Sequence, residues 1–304
     1  MNRIFKISIF LTFFNFLYGQ SEFIYIIGNV QDAGLPHIGC QHKFCKEKFN
    51  EYEQHFTTSI AVVDPQDKKY ILFEATPDIP YQLNYLEKEI FNQFLLPESI
   101  FITHAHIGHY TGLMYFGREA LGAKNIMVKV LPRMSNFLKI NGPWSQLVDI
   151  NNIKIQKLNF GSKTNELRNI TVTPIQVPHR DEYSDTAGFI IKGKNKKALF
   201  IPDIDKWEKW DKNLKQLVDE FDYLLLDATF YDSKEINRDI NEIPHPLVTE
   251  TINLLDDLSS EDKNKVYFIH MNHTNLMLDP RSDLTKLVTN KGFNIARLGL
   301  KLSL

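Results

Sequence analysis

The sequence predicts a single α/β domain in which sheets are covered by helices. Three observations carry this prediction. Short runs of β-branched and aromatic residues alternate with helical patterns along the chain. No repeat, low-complexity tract or linker divides the 304 residues. Hydrophobic residues make up 43%, enough to bury one sizeable core. Many short strands with helices interspersed is the pattern of sheets packed under helices.

The first segment stands apart from this fold. Met1 to Lys6 is short and basic, Ile7 to Leu17 is nearly all apolar, and Tyr18-Gly19-Gln20-Ser21 offers small residues for cleavage. That layout predicts a signal peptide over residues 1–20 and an exported domain, periplasmic or secreted, over 21–304. The competing reading is a membrane anchor. About 11 apolar residues are too few for a ~30 Å hydrocarbon core that needs ~20, so no anchor is expected in the mature chain.

Strands are expected at Phe23 to Ile27, Ser59 to Val63, Tyr70 to Phe73 and Ser99 to Ile102. Further strands are expected at Ile126 to Val130, Ile153 to Leu158, Ile170 to Val177, Ala187 to Ile191, Ala198 to Ile201, Tyr223 to Leu226 and Val266 to Ile269. Helical spacing fits Ile79 to Phe94, Tyr110 to Leu121, Pro132 to Lys139, Lys206 to Val218, Pro246 to Leu255 and Arg281 to Thr289. The formal net charge of −2, with no basic block, argues against general nucleic-acid binding and leaves a small-molecule substrate as the expected partner. Nothing in the sequence fixes an oligomeric state.

Nine of the ten histidines fall in short clusters, and only His55 stands alone as an ordinary residue. The densest cluster is Thr103-His104-Ala105-His106-Ile107-Gly108-His109, directly after an apolar strand. His104 and His106, two apart, can face one side of an extended segment, and His109 can approach from another. Imidazoles at such a place suit zinc, iron or manganese. The alternative is a His-rich surface loop, but other clusters offer the missing ligands. His179 follows one strand, Asp203 another (with Asp205 as its competitor), and His270 a third. Functional residues collect at strand ends of this kind in α/β sheets.

The order HxHxxH, His, Asp, His resembles the ligand order of the metallo-β-lactamase superfamily across nearly the whole mature chain. The resemblance implies an αβ/βα four-layer sandwich, and it matches Phe73-Glu74-Ala75-Thr76 to that family's strand-end acidic motif. It implies a first metal site of His104, His106, His179 and Asp203, and a second of His109, His270 and the bridging Asp203. Gly108 stands where the family usually has Asp, so the second site is one anionic ligand short, with Asp32, Asp181 and Asp185 as candidates to replace it. The stretch Asp32 to Cys45 resembles the early insertion of two branches, the cyclic phosphodiesterases and pyrroloquinoline quinone (PQQ) synthesis protein B. Their structural-zinc loop maps to Cys40, His42 and Cys45, with His273 as fourth ligand in the phosphodiesterase manner and His37 able to replace His42. A Cys40–Cys45 disulfide is the rival. The tail from Leu224 to Asn275 is more similar to PQQ synthesis protein B, which has Asn at the position of His273. His245 maps to a histidine that contacts substrate phosphate or protonates the leaving group; the competing reading is a packing role at a helix start.

The expectation is therefore an exported metal-dependent hydrolase. It would act on a phosphodiester or small ester by attack of a metal-held hydroxide, with Asp203 and His245 catalytic. One or two active-site Zn²⁺ are expected, Mn²⁺ or Fe²⁺ being alternatives, with one structural Zn²⁺. Two other readings are carried: an iron-dependent hydroxylase like PQQ synthesis protein B, and a non-catalytic metal-binding module.

Overall fold

The structure is a computed structural model that describes residues 21–48, 55–235, 239 and 242–304. The signal-peptide expectation falls on residues 1–20, outside the described residues. Among the described residues, no helix is long and apolar enough to cross a membrane.

The first sheet contains β1 (Phe23–Gly28), β2 (Ser59–Asp64), β3 (Lys69–Phe73), β4 (Ser99–Phe101), β5 (Ile126–Val130) and β6 (Ile153–Lys157). The second contains β7 (Thr164–Leu167), β8 (Ile170–Gln176), β9 (Ala187–Lys192), β10 (Lys197–Ile201), β11 (Tyr223–Asp227), β12 (Val266–Ile269) and β13 (Asn294–Ile295). The final strand, β14 (Lys301–Ser303), returns to the first sheet beside β1. The strand orders are β14-β1-β2-β3-β4-β5-β6 and β13-β12-β11-β10-β9-β8-β7. In each sheet, antiparallel pairing gives way to parallel pairing, from β3 onward in the first and from β10 onward in the second.

The central strands are apolar on both faces because both faces are covered. Ile24, Ile60, Ile71, Phe73 and Phe101 of the first sheet meet Phe189, Ile191, Phe200 and Leu225 of the second. The outer face of the first sheet packs Ala61, Leu72 and Ile100 against Ile79, Leu83, Met134 and Leu138. The outer face of the second packs Leu199, Leu224 and Leu226 against Val248, Ile252 and Val288. The layers are thus helix, sheet, sheet, helix, as the sequence predicts.

Two expected helices are broken, each for a visible reason. The run from Tyr110 to Leu121 is an α-turn, Ile107–Tyr110, followed by the 3₁₀ segment Thr111–Phe116. The Ala75 N–H donates to the His109 carbonyl at 2.8 Å, and the Gly112 N–H donates to the Ala75 carbonyl at 2.9 Å. Backbone groups that would propagate the helix are stitched to the chain beyond β3. A Cβ on Gly112 would lie 1.9 Å from the Thr76 carbonyl oxygen, so only glycine permits that approach. The run from Lys206 to Val218 divides into Trp207–Lys209 and Leu214–Glu220, the second capped by Asn213 accepting from the Lys215 N–H. Trp207 donates its indole N–H to Thr251 Oγ1 and Trp210 donates to the Gln176 carbonyl. Anchoring both indoles overrides the helical propensity of the intervening residues.

One carboxylate outside these layers has a pH signature. Glu235 accepts from the Tyr231 N–H and from Thr274 Oγ1. Burial pushes its carboxyl up from 4.5 to about 7. A raised acid favours the protonated folded state, so its stabilising proton is lost as pH rises from 4.5 through 7. Glu235→Gln is therefore expected to stabilise the protein at pH 8 by about 1–3 kcal/mol and to have little effect at pH 4.5. Calorimetry at the two pH values checks this; an equal shift at both would mean that Glu235 is ionised throughout.

Candidate metal centre

One edge of the sandwich collects the carboxyl ends of β3, β4, β8, β10, β11 and β12. These ends carry Glu74, His104, His179, Asp203, Asp227 and His270. Three donor groups have ligand atoms within 4.8 Å of one another: His104, His106, His179 and Asp203; Asp32, His109, Asp203 and His270; and Asp203, Asp227 and His245. Asp203 belongs to all three. Its competitor Asp205 turns away, accepting from Lys206 N and from Lys209 Nζ.

In the first group, His104 Nε2 lies 3.4 Å from Asp203 Oδ2, and His179 Nε2 lies 3.3 Å from Asp203 Oδ1 and from His106 Nδ1. Ligands on a tetrahedral cation at ~2.0–2.1 Å stand about 3.3–3.4 Å apart. His104 Nε2 and His106 Nδ1, at 2.7 Å, are closer than that and share a hydrogen bond. The back of each ring is also held. Thr103 Oγ1 is 2.9 Å from His104 Nδ1, and Glu182 Oε2 is 3.2 Å from His106 Nε2. Such outer partners fix ring orientation and tautomer. Burial, with the charge of His109 for His104, lowers both imidazole pKa values and so favours the neutral form that binds cations.

In the second group, Asp32 Oδ1 is 3.0 Å from His109 Nε2 and 3.6 Å from His270 Nε2. Asp203 Oδ2 lies 3.7 Å from the first and 4.0 Å from the second. Glu74 Oε1 stands 3.4 Å behind His109 at Nδ1, and Thr229 Oγ1 is 3.1 Å from His270 Nδ1. Both Glu74 and His270 have left-handed backbone, at φ 77° and 65°. Non-glycine residues rarely adopt this region and are found in it at functional sites.

The electrostatics of this edge are those of a cation site. Burial disfavours charge on Asp203 and Asp32. The histidines around each nonetheless hold both carboxyls well below their usual range. Burial also opposes a charge on His109, but Glu74 and Asp32 raise its pKa well above the ordinary value. Asp32 Oδ1, His109 Nε2, Asp203 Oδ1 and His270 Nε2 are all buried with no hydrogen-bond partner. Buried polar atoms are seldom left so. Three of these, Asp32 Oδ1, His109 Nε2 and His270 Nε2, belong to the second group and fit a divalent cation there, whereas Asp203 Oδ1 faces His179 and His245. The residues present therefore suit the metal that the fold implies.

Gly108 matters to this arrangement. A Cβ there would lie 2.4 Å from Asp32 Cα and 2.5 Å from Asp32 Oδ1. Gly108→Ala is expected to destabilise the metal-free protein by about 1–3 kcal/mol through overpacking. Urea unfolding measures this, and unchanged stability would mean that the loop bearing Asp32 does not lie against Gly108.

Sequence reasoning missed Asp227, Thr229 and Glu182. Asp227 Oδ1 accepts from the Thr229 N–H and hydroxyl, and Oδ2 accepts from the Ile204 N–H. Asp227 Oδ2 is also 2.9 Å from His245 Nδ1, which lies 3.0 Å from Asp203 Oδ1. The signal for Asp227 was present, since it ends an apolar strand just as Asp203 follows one. His245 is thus brought to the metal centre.

The expected structural-metal residues are gathered less tightly. None of the three donor groups includes Cys40, His42, Cys45 or His273. The two cysteines are free thiols, against the disulfide alternative. His37, rather than His42, faces His273, with ring centroids 3.9 Å apart, and the His37 backbone N–H donates to Cys45 Sγ at 3.1 Å. His42 is exposed, and its backbone N–H is 3.4 Å from Cys40 Sγ.

A profile of the family described as "Beta-lactamase superfamily domain" matches residues 69–271. A relative in Methylococcus capsulatus, "Coenzyme PQQ synthesis protein B", is 23% identical over 92% of this chain and 99% of its own length. Zn²⁺-bound PqqB from Methylobacterium extorquens superposes with a TM-score of 0.77 at 20% identity, covering 93% of this chain and 100% of its own. A diphosphatase from the PhnP family superposes at 0.63 and 20% identity, over 94% and 98%.

Proposed function

Starting from the fact that this chain belongs to the beta-lactamase superfamily domain family, we propose that it is an exported metal-dependent hydrolase of phosphodiesters or related small esters. The observation that carries this reading is the gathering of buried, partnerless ligand atoms from His109, His270 and Asp32 beside His104, His106, His179 and the shared Asp203. The solved diphosphatase of the same fold supports the choice of phosphate esters.

His104, His106, His179 and Asp203 would hold one cation, and His109 and His270 with Asp203 a second. Cations bound there would polarise a phosphoryl oxygen and make a water molecule acidic near neutral pH. The chain's own contributions are placement and proton handling. Glu74, Thr103 and Thr229 orient ligand imidazoles from behind. Asp227 and Thr229 hold His245 at Nδ1, which leaves Nε2 as the ring nitrogen to meet a substrate. Burial opposes a charge on His245, but Asp227 and Asp203 raise its pKa to about 10. A protonated His245 would steady a phosphate or pass a proton to the leaving oxygen.

The test is hydrolysis of bis-p-nitrophenyl phosphate by metal-stripped protein before and after addition of Zn²⁺ or Mn²⁺. Turnover that returns with the metal is expected. Its absence with this substrate and with simple p-nitrophenyl esters would end the hydrolase reading.

A second reading rests on the relatives named for PQQ synthesis, which match 92% of the chain. A single iron held by His104, His106, His179 and Asp203 would then serve hydroxylation of a small aromatic or quinone precursor. Metal analysis of the protein as purified separates the two: one iron with oxygen uptake favours hydroxylation, and two zincs favour hydrolysis.

A further inference from the structure

We propose that Asp32 is the anionic ligand of the second cation, supplied by the loop after β1 in place of a carboxylate at position 108. Four independent observations lead there.

The first is topological. β1 and β3 both run antiparallel to β2, so their carboxyl ends reach the same edge of the sheet. Beyond β1 the chain is tied across this edge. The Met271 N–H donates to the Asn29 carbonyl at 2.9 Å, the Gln31 N–H donates to the Met271 carbonyl at 2.8 Å, and the Thr58 N–H donates to the Val30 carbonyl at 2.8 Å. Met271 follows His270, so the residue after Gln31 arrives beside a ligand of the second group.

The second is exclusion. The Cβ of any residue at position 108 would come within 2.4 Å of Asp32 Cα, a backbone atom that cannot swing aside. A carboxylate at position 108 and the present path of the loop are mutually exclusive. Glycine at 108 and aspartate at 32 are two halves of one arrangement.

The third is the state of the atoms. Asp32 Oδ1, His109 Nε2 and His270 Nε2 are buried and without hydrogen-bond partners, although they lie only 3.0 and 3.6 Å apart across the carboxylate. The ligand atoms of this group lie within 4.8 Å of one another, close enough for one cation to meet them all. The fourth is the engagement of the rivals. Asp181 Oδ1 accepts from Thr186 Oγ1 at 2.9 Å, and Asp185 Oδ1 accepts from Arg133 at 3.2 Å.

Two imidazoles and two carboxylates make a set suited to Zn²⁺, Mn²⁺ or Fe²⁺. The inference concerns metal binding, and it stands or falls separately from the hydrolase reading because its test reads no turnover.

The experiment strips the full chain of metal and titrates it with Co²⁺, following uptake by calorimetry, elemental analysis and the ligand-field spectrum. Asp32→Asn keeps the shape of the side chain and removes its charge. Relative to wild type, D32N is expected to lose one equivalent, or to bind it at least about tenfold more weakly, while the spectrum of the ion at His104, His106 and His179 is kept. Equal uptake with equal affinity overturns the proposal, as does loss of the first ion together with the second. Thermal unfolding of metal-free D32N checks its fold. If that variant does not fold, Asp32→Glu decides: one methylene longer at the same charge, it must alter the spectrum and affinity of the second ion alone. No change in either overturns the proposal.

Discussion

Asp203→Ala is expected to empty the metal centre and to cut any metal-dependent phosphodiester turnover by about 10³-fold or more. Asp203 is the only residue shared by all three donor groups among the described residues. Its two oxygens face His104 at 3.4 Å, His179 at 3.3 Å, His109 at 3.7 Å and His245 at 3.0 Å. A carboxylate so placed would balance the charge of a cation in either donor group and could not be replaced from one side alone. Loss of the several kcal/mol that metal polarisation supplies, at ~1.4 kcal/mol per tenfold, sets the size of the rate effect. Elemental analysis and bis-p-nitrophenyl phosphate assays on one preparation check both parts. An alanine variant that retains two ions at this edge would show that Asp203 does not ligate. One that loses the ions but keeps its rate would show that turnover is not metal-dependent.

The largest effect on stability is expected at Phe73. Its side chain is fully buried between the sheets, with the rings of Phe101, Phe189 and Phe200 at 5.0, 5.3 and 5.9 Å. Phe73→Ala removes an aromatic ring from the middle of this cluster and leaves a cavity that neighbours on two rigid sheets cannot close. A loss of about 3–5 kcal/mol is expected, by urea unfolding in one metal state. Ile140→Ala, at a residue that is 68% exposed, serves as the control and is expected to stay within about 0.5 kcal/mol. An F73A loss below about 1 kcal/mol would be incompatible with the inter-sheet packing described. The same substitution also reaches the site, because the next residue is Glu74, which stands behind His109.

How far the sequence could be read differs from element to element. The central strands were legible because each is a continuous apolar run, and a run buried on both faces needs no partner to be recognised. The short strands β7, β13 and β14 were not expected. They lie at or near the sheet edges, and their mixed sequences become strands only through pairing. The broken helices were read as continuous because their apolar spacing is helical. Capture of the His109 carbonyl by Ala75 and the two anchored indoles cannot be seen from spacing. In the early loop, spacing singled out Cys40, His42 and Cys45, but spacing along a loop does not say which side chains turn inward. His37 faces His273, and His42 faces solvent.

What the sequence determined by itself is the α/β layering and the candidate ligands His104, His106, His179, Asp203 and His270. These are local facts: a polar, metal-competent side chain directly after an apolar strand must emerge at the strand's end. What only the tertiary structure decided is that Asp32 comes to lie beside Gly108, His109 and His270, and that Asp227 stands behind His245. Asp32 lies in an ordinary turn with no periodic signal. It reaches His109 and His270 because the backbone of Asn29 and Gln31 pairs with Met271, more than two hundred residues away in the chain. A contact of that range is set by how two sheets pack, and no window of sequence contains both of its sides.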